Sequence, residues 1–135
     1  MIVFAPKWNS RRTCFHPWQH RIGLVGFSQG ACLALEYACR HPRRHGLFAG
    51  LSGGLIGPLN TPRPPVGLGK TPVLVACAES DAHILLPYVE ETATAFGRAG
   101  AVVTKLIFPG SSHTVFPQEI DWLRGQLSGW AARPG

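Results

Sequence analysis

Ser28, Asp81 and His113 are the residues whose types and chain order could carry out nucleophilic chemistry. Ser28 is the central residue of Gly-Phe-Ser-Gln-Gly at residues 26–30, which fits the G-x-S-x-G turn that exposes a serine between a strand and a helix. A serine is a poor nucleophile unless a base removes its proton, and a histidine oriented by a carboxylate is such a base. The order serine, acid, histidine therefore predicts a Ser-His-Asp triad.

The turn around Ser28 also predicts a donor for the negative charge that develops on an attacked carbonyl oxygen. Glycines two residues before and after the serine let the strand and the helix approach each other closely. The first amides of the following helix then lie beside the hydroxyl. We expect the backbone N–H of Gln29 to be one such oxyanion donor.

The alternatives for the acid are few, because the chain has only two aspartates. Asp121 falls within the last predicted helix, on its outer side. Glu79 shares a loop with Asp81 and stays open as the alternative acid.

Of the six histidines, His113 follows the acid after a strand of its own. His83 is only two residues from Asp81, too close in the chain to bridge that carboxylate to the serine. The remaining four precede the nucleophile (His16, His20) or flank an arginine-rich helix end, where a surface position is expected (His41, His45).

The elements predicted around these residues would bring them to one edge of a sheet. Apolar runs typical of strands occupy residues 22–26, 46–51, 72–77 and 102–108, and helical spacing occupies residues 28–41, 87–99 and the segment from 117. This alternation predicts an α/β fold with a mainly parallel sheet of about four strands and helices on both faces. Loops at the carboxyl ends of parallel strands share one edge, so the three side chains can converge there.

Apolar residues at helical spacing predict which side of each helix is buried. The expected buried positions are Ala31, Cys32, Leu35, Ala38 and Cys39 in the first helix, Val89, Ala93 and Phe96 in the second, and Ile120, Leu123, Leu127 and Trp130 in the third. The Gly/Pro-rich stretch at residues 52–71 is expected to be a long surface loop rather than a linker, because neither flank could form a core alone.

Composition and charge narrow the class of protein. A chain of 135 residues with 45% hydrophobic and 15% charged residues is typical of one globular domain rather than of a disordered chain. The net charge is +6, and the basic residues are scattered along the chain in small groups. This distribution does not indicate a nucleic-acid partner. No stretch is typical of a membrane span or a leader peptide, so we expect no stable membrane insertion and a cytoplasmic location. The four cysteines form no C-x-x-C pair and no metal spacing.

The segments around these residues resemble the phospholipase/carboxylesterase group of α/β-hydrolases, which are relatives of acyl-protein thioesterases. The matching stretches are Arg-Ile-Gly-Leu-Val-Gly-Phe-Ser-Gln-Gly-Ala from residue 21, Leu-Ser-Gly-Gly-Leu-Ile-Gly at 51–57, Ala-Glu-Ser-Asp-Ala-His-Ile at 78–84 and Pro-Gly-Ser-Ser-His-Thr-Val at 109–115. The resemblance covers about residues 21–128. It implies hydrolysis of carboxylic esters or thioesters without metal or organic cofactor, with Ser28, Asp81 and His113 matching the triad one for one.

The resemblance ends at the front of the chain. Members of this group carry further strands before the nucleophile, and a His-Gly-x-Gly loop that supplies a second oxyanion donor; nothing in residues 1–20 matches that loop. Residues 1–20 have no sustained hydrophobic period and are predicted to form an irregular segment, in which residues 1–5 could form one short strand. The resemblance implies that residues 21–135 are the C-terminal part of a catalytic domain. An elbow strand near an open sheet edge leads to the hypothesis of a homodimer through that edge.

Two functions stay open at this point. One is a serine hydrolase of small-molecule esters or thioesters that works through an acyl-enzyme, and the other is a catalytically weak or inactive remnant that acts as a binding or partner-dependent module. Dienelactone-type hydrolysis matches less well, because that group usually has cysteine as its nucleophile. Four apolar residues are candidates for lining an acyl pocket by their position: Leu55, Ile56, Ile84 and Leu85.

Overall fold

Strands and helices alternate along the part of the chain that the computed structural model describes, residues 2–4, 21–41, 43–63 and 67–131. The strands are β1 (Ile2–Phe4), β2 (Gly23–Phe27), β3 (Leu47–Leu51), β4 (Pro72–Ala78) and β5 (Val102–Phe108), and the helices are α1 (Gln29–Arg40), α2 (Leu86–Arg98) and α3 (Pro117–Ala131). The four strands and three helices expected from residue 21 onward are all present, with bounds close to the predicted ones.

The strands form one sheet in the order β1-β2-β3-β4-β5. Strands β2 to β5 are parallel neighbours, whereas β1 runs antiparallel to β2, with Ile2 opposite Val25 and Phe4 opposite Gly23. The predicted mainly parallel sheet of about four strands is confirmed, and β1 adds a fifth strand. The rest of the N-terminal segment that was expected to be irregular, residue 1 and residues 5–20, lies outside the described residues.

Helices cover both faces of this sheet, as predicted. On one face, α1 and α2 pack on a core that includes Leu35, Phe48, Val75 and Phe96. On the other face, α3 packs on a second core of β-strand residues such as Leu74 and Phe108, and contributes Trp122, Leu123, Leu127 and Trp130. Strands β3 and β4 are apolar on both faces because each face is covered by a helix layer.

Ile120 was expected on the buried face of α3, and this prediction is wrong. Its side chain is 37% exposed, while Trp122 packs against the second core and donates its indole N–H to Thr104 Oγ1 at 3.2 Å. The bulky indole, which also needs a hydrogen-bond acceptor, therefore turns the helix so that Ile120 faces outward.

The predicted surface position of His45 is also wrong. His45 is 4% exposed, its backbone N–H donates to Thr71 Oγ1 at 2.9 Å, and its Nδ1 lies 2.9 Å from the Arg43 carbonyl oxygen. The ring packs 4.7 Å from that of Phe48. Burial lowers the pKa of His45, so the neutral ring behaves as part of the core.

The Gly/Pro-rich connection before β4 is joined to the sheet by buried contacts. Leu55 and Leu68 belong to the first core, and Thr92 Oγ1 of α2 accepts the N–H of Leu55 at 2.9 Å. Glu36 of α1 accepts the N–H of Ile56 at 2.8 Å. The described parts of this loop thus lie on the same core as the strands they follow.

Three cysteines of the described segments, Cys32, Cys39 and Cys77, are free thiols. Burial raises the pKa of Cys77 to about 11. No helix of these segments has the length and apolar character needed to cross a membrane.

Candidate active site

Ser28 occupies a sharp turn between β2 and α1. Its φ of 55° and ψ of −117° lie outside the regions that non-glycine residues favour, so the backbone is strained there. A Cβ at Gly26 would lie 2.0 Å from the Gly30 carbonyl oxygen, which is why glycine is required at that position. The turn is held by the Ser28 N–H, which donates to the Leu51 carbonyl of β3 at 2.9 Å.

The structure brings Ser28, His113 and Asp81 together in one hydrogen-bonded series. Ser28 Oγ lies 2.9 Å from His113 Nε2, and His113 Nδ1 lies 2.7 Å from Asp81 Oδ2. An ionised carboxylate only accepts, so Nδ1 carries the proton that is donated to Asp81. The free Nε2 lone pair is then directed at the serine hydroxyl, as a general base requires.

Asp81, the last member of this series, is buried in the loop that follows β4. It is 3% exposed, and its Oδ1 accepts the backbone N–H of His83 at 2.8 Å and of Ile84 at 3.1 Å. Burial alone would raise the pKa of Asp81, but the hydrogen bonds from His113, His83 and Ile84 outweigh it and hold the pKa below its usual value. The carboxylate therefore stays ionised beside the imidazole.

The loop that carries His113 is fixed by a residue to which the sequence had given no role. Ser52 follows β3, is fully buried and has a φ of 53°. Its Oγ donates to the carbonyl oxygen of Thr114, the residue after His113, at 3.1 Å. Its position at the carboxyl end of a parallel strand, like that of the other polar site residues, is the signal that could have identified it.

Gln29 is the first residue of α1, next to the strained serine. Its N–H is one of the first four amides of a helix, which have no acceptor within the helix, and the helix dipole favours negative charge there. Its role as an oxyanion donor stays a prediction. Within the described segments, no group of His, Cys, Asp and Glu side chains is placed to hold a metal ion.

The four apolar residues predicted to line an acyl pocket differ in burial. Leu55 is buried in the first core and Ile84 packs against it, whereas Ile56 and Leu85 are largely exposed. Their part in an acyl pocket stays a prediction. Glu79, the alternative acid, contacts Gly110 N at 3.4 Å through Oε1, and Asp81 holds the place beside His113.

Comparison with known proteins shows the family of the chain. The phospholipase/carboxylesterase family model matches residues 18–130. The chain belongs to the phospholipase/carboxylesterase family, and its sheet and helices form part of an α/β-hydrolase fold. No match was found among curated proteins.

Solved structures agree with this membership. A phospholipase/carboxylesterase from Dyadobacter fermentans is 33% identical, with a TM-score of 0.74 over 79% of this chain and 52% of that protein. Esterase PE8 is 27% identical, with a TM-score of 0.63 over 79% of this chain and 49% of that protein. Zea mays acyl-protein thioesterase 2, at 24% identity and a TM-score of 0.53 over 79% of this chain and 55% of that protein, shows the same fold. The chain spans about half the length of these structures.

Proposed function

We propose that this chain is a serine hydrolase that cleaves carboxylic esters or thioesters of small molecules through an acyl-enzyme intermediate. The observation that carries the proposal is the hydrogen-bonded series from Asp81 through His113 to Ser28. Its geometry is that of a nucleophile, a base and an orienting carboxylate. Membership of the phospholipase/carboxylesterase family and similarity to esterase PE8 support the same reaction class.

Each residue would have a defined part in the reaction. Ser28 Oγ attacks the acyl carbon while its proton passes to His113 Nε2, and Asp81 stabilises the imidazolium that forms. The N–H of Gln29 would donate to the oxyanion. His113 then returns the proton to the departing alcohol or thiol, which leaves an ester on Ser28. A water molecule, deprotonated by His113, releases the acid and restores the free serine.

A fluorophosphonate probe tests this proposal, because it forms a covalent bond only with an activated serine. We expect labelling of the folded chain that is lost in Ser28→Ala, together with a fall in ester hydrolysis of at least about 10⁴-fold. Ser128→Ala, at an exposed position on α3, is the matched control and should keep both.

A folded chain that takes up no probe would contradict the proposal and would favour the alternative, a catalytically weak or inactive module. Circular dichroism of the same sample establishes that the chain is folded. A cytoplasmic location and a homodimer through the sheet edge stay predictions. A monomeric mass from size exclusion with light scattering would count against the dimer.

A further inference from the structure

The imidazole of His113 contacts two aromatic rings in addition to its hydrogen-bond partners. The ring of His83 lies 4.6 Å away, centre to centre, with the two planes inclined by 48°. The ring of Phe27 lies 5.0 Å away at 39°. His83 and Phe27 are both exposed residues, so their rings lie where His113 would otherwise meet water.

The carboxylate of Asp81 bonds to the ring of His113 and to the backbone of His83. Its Oδ2 accepts from His113 Nδ1 at 2.7 Å, and its Oδ1 accepts from the backbone N–H of His83 at 2.8 Å. The loop that bears His83 and the plane of the His113 ring are therefore set by two oxygens of one buried group. This shared anchor holds the two residues close together, and their rings are in contact.

A ring at this place can affect the base by packing against it. The ring of His83 limits rotation of the His113 imidazole about its hydrogen bond to Asp81. This contact helps to keep Nε2 directed at Ser28.

We propose that His83 is a positioning residue for His113, because its ring packs against the base and keeps that base directed at Ser28. This inference rests on the proposed hydrolase function.

Neutral variants test the packing. In His83→Phe the ring contact is kept, and we expect kcat for an activated ester to stay within about 3-fold of the wild type. In His83→Ala the contact is lost, and we expect kcat to fall about 10-fold with little change in KM. His83 is exposed, so both variants should fold with unchanged thermal midpoints. Equal kcat values for the two variants would overturn the positioning role.

A measurement that needs no turnover also tests the contact. We expect the NMR spectrum of the folded chain to show a nuclear Overhauser cross-peak between the ring protons of His83 and His113, because their ring centres lie 4.6 Å apart. The cross-peak should be lost in His83→Ala and kept in Ser128→Ala, which is the control.

A folded wild-type chain without this cross-peak would overturn the contact. The same spectra separate this inference from the proposed function. A protein that takes up no fluorophosphonate and yet shows the cross-peak would contradict the hydrolase while supporting the contact between the two histidines.

Discussion

Asp81 and Glu119 are both buried carboxylates, and they differ in what surrounds them. Asp81 is 3% exposed, and both of its oxygens accept hydrogen bonds. Glu119, in the first turn of α3, is 0% exposed; its Oε2 accepts the Phe116 N–H at 2.5 Å, and its Oε1 has no partner among the described residues. One carboxylate is fully satisfied and the other is only half satisfied.

This difference sets the direction in which each pKa moves. Burial raises the pKa of Glu119, and the single hydrogen bond from Phe116 does not offset it. At Asp81 the hydrogen bonds from His113, His83 and Ile84 outweigh burial, and the pKa is lowered. Burial is thus common to both carboxylates, and the number of donors decides the direction of the pKa shift. Asp81 faces the imidazole, and Glu119 caps a helix through the bond from residue N3 back to the N-cap N–H.

The largest effect is expected from a substitution of Asp81, the carboxylate whose oxygens both accept hydrogen bonds. In Asp81→Asn, the amide NH₂ cannot accept from His113 Nδ1, which favours the wrong tautomer. We expect kcat/KM for an activated ester to fall about 10⁴-fold. Glu79→Gln, which alters the alternative acid, should keep kcat/KM within about 3-fold. A loss in Glu79→Gln that matched the loss in Asp81→Asn would contradict the assignment of the acid.

A third buried carboxylate extends the comparison to a purely structural site. Glu36 is 7% exposed, accepts the Ile56 N–H at 2.8 Å and pairs with Arg63 at 2.9 Å. Glu36→Ala leaves both donors without this acceptor, so we expect a loss of about 2 kcal/mol in the free energy of unfolding.

Urea denaturation measures this loss, and the same loop offers a matched control. Glu91 accepts the Asn60 N–H at 2.9 Å in an exposed setting, so Glu91→Ala should cost less than about 1 kcal/mol. Equal losses in the two variants would mean that burial does not distinguish these two anchors.

The smallest expected effect concerns Glu119 and depends on pH. Because its folded pKa is raised, the folded protein binds a proton more readily than the unfolded chain, and stability is lost as pH rises above the ordinary glutamate value. Glu119→Gln does not titrate and keeps an acceptor for Phe116. We expect it to be more stable than the wild type by about 1 kcal/mol near pH 8, and by less near pH 4.

Asp81→Asn should show the opposite trend when its stability is measured. The lowered pKa of Asp81 contributes stability above its unfolded value, and this is lost as pH falls through the folded one. The deficit of Asp81→Asn should therefore shrink in acid. Thermal melts of both variants between about pH 3 and 8 compare the two slopes, and slopes of the same sign would contradict the comparison.

The order of the elements was predictable because it depends on local patterns. The apolar run of β5, bounded by Gly100 and Pro109, has the predicted limits. The turn at Ser28 was predictable because close approach of the chain at Gly26 leaves room only for glycine. The positions of Asp81 and His113 after their own strands then follow from the parallel order of the sheet.

Contacts between distant parts of the chain were not predictable in this way. The burial of His45 depends on Thr71 and Phe48, and the outward turn of Ile120 depends on the indole of Trp122 finding Thr104. The hydrogen bond from Ser52 to Thr114 joins residues 62 apart in sequence. No local period encodes such pairs, because each depends on where two elements meet.

The hydrogen bond between Ser28 and His113 spans 85 residues of sequence, and β3, β4 and β5 all lie between its ends. During synthesis from the N-terminus, Ser28 is made long before His113. If Ser28 is the proposed nucleophile, a growing chain would therefore carry an inert serine until the last parallel strand has docked. Covalent capture of that hydroxyl would thus report completed assembly of the sheet, and an arrested shorter chain would be chemically silent.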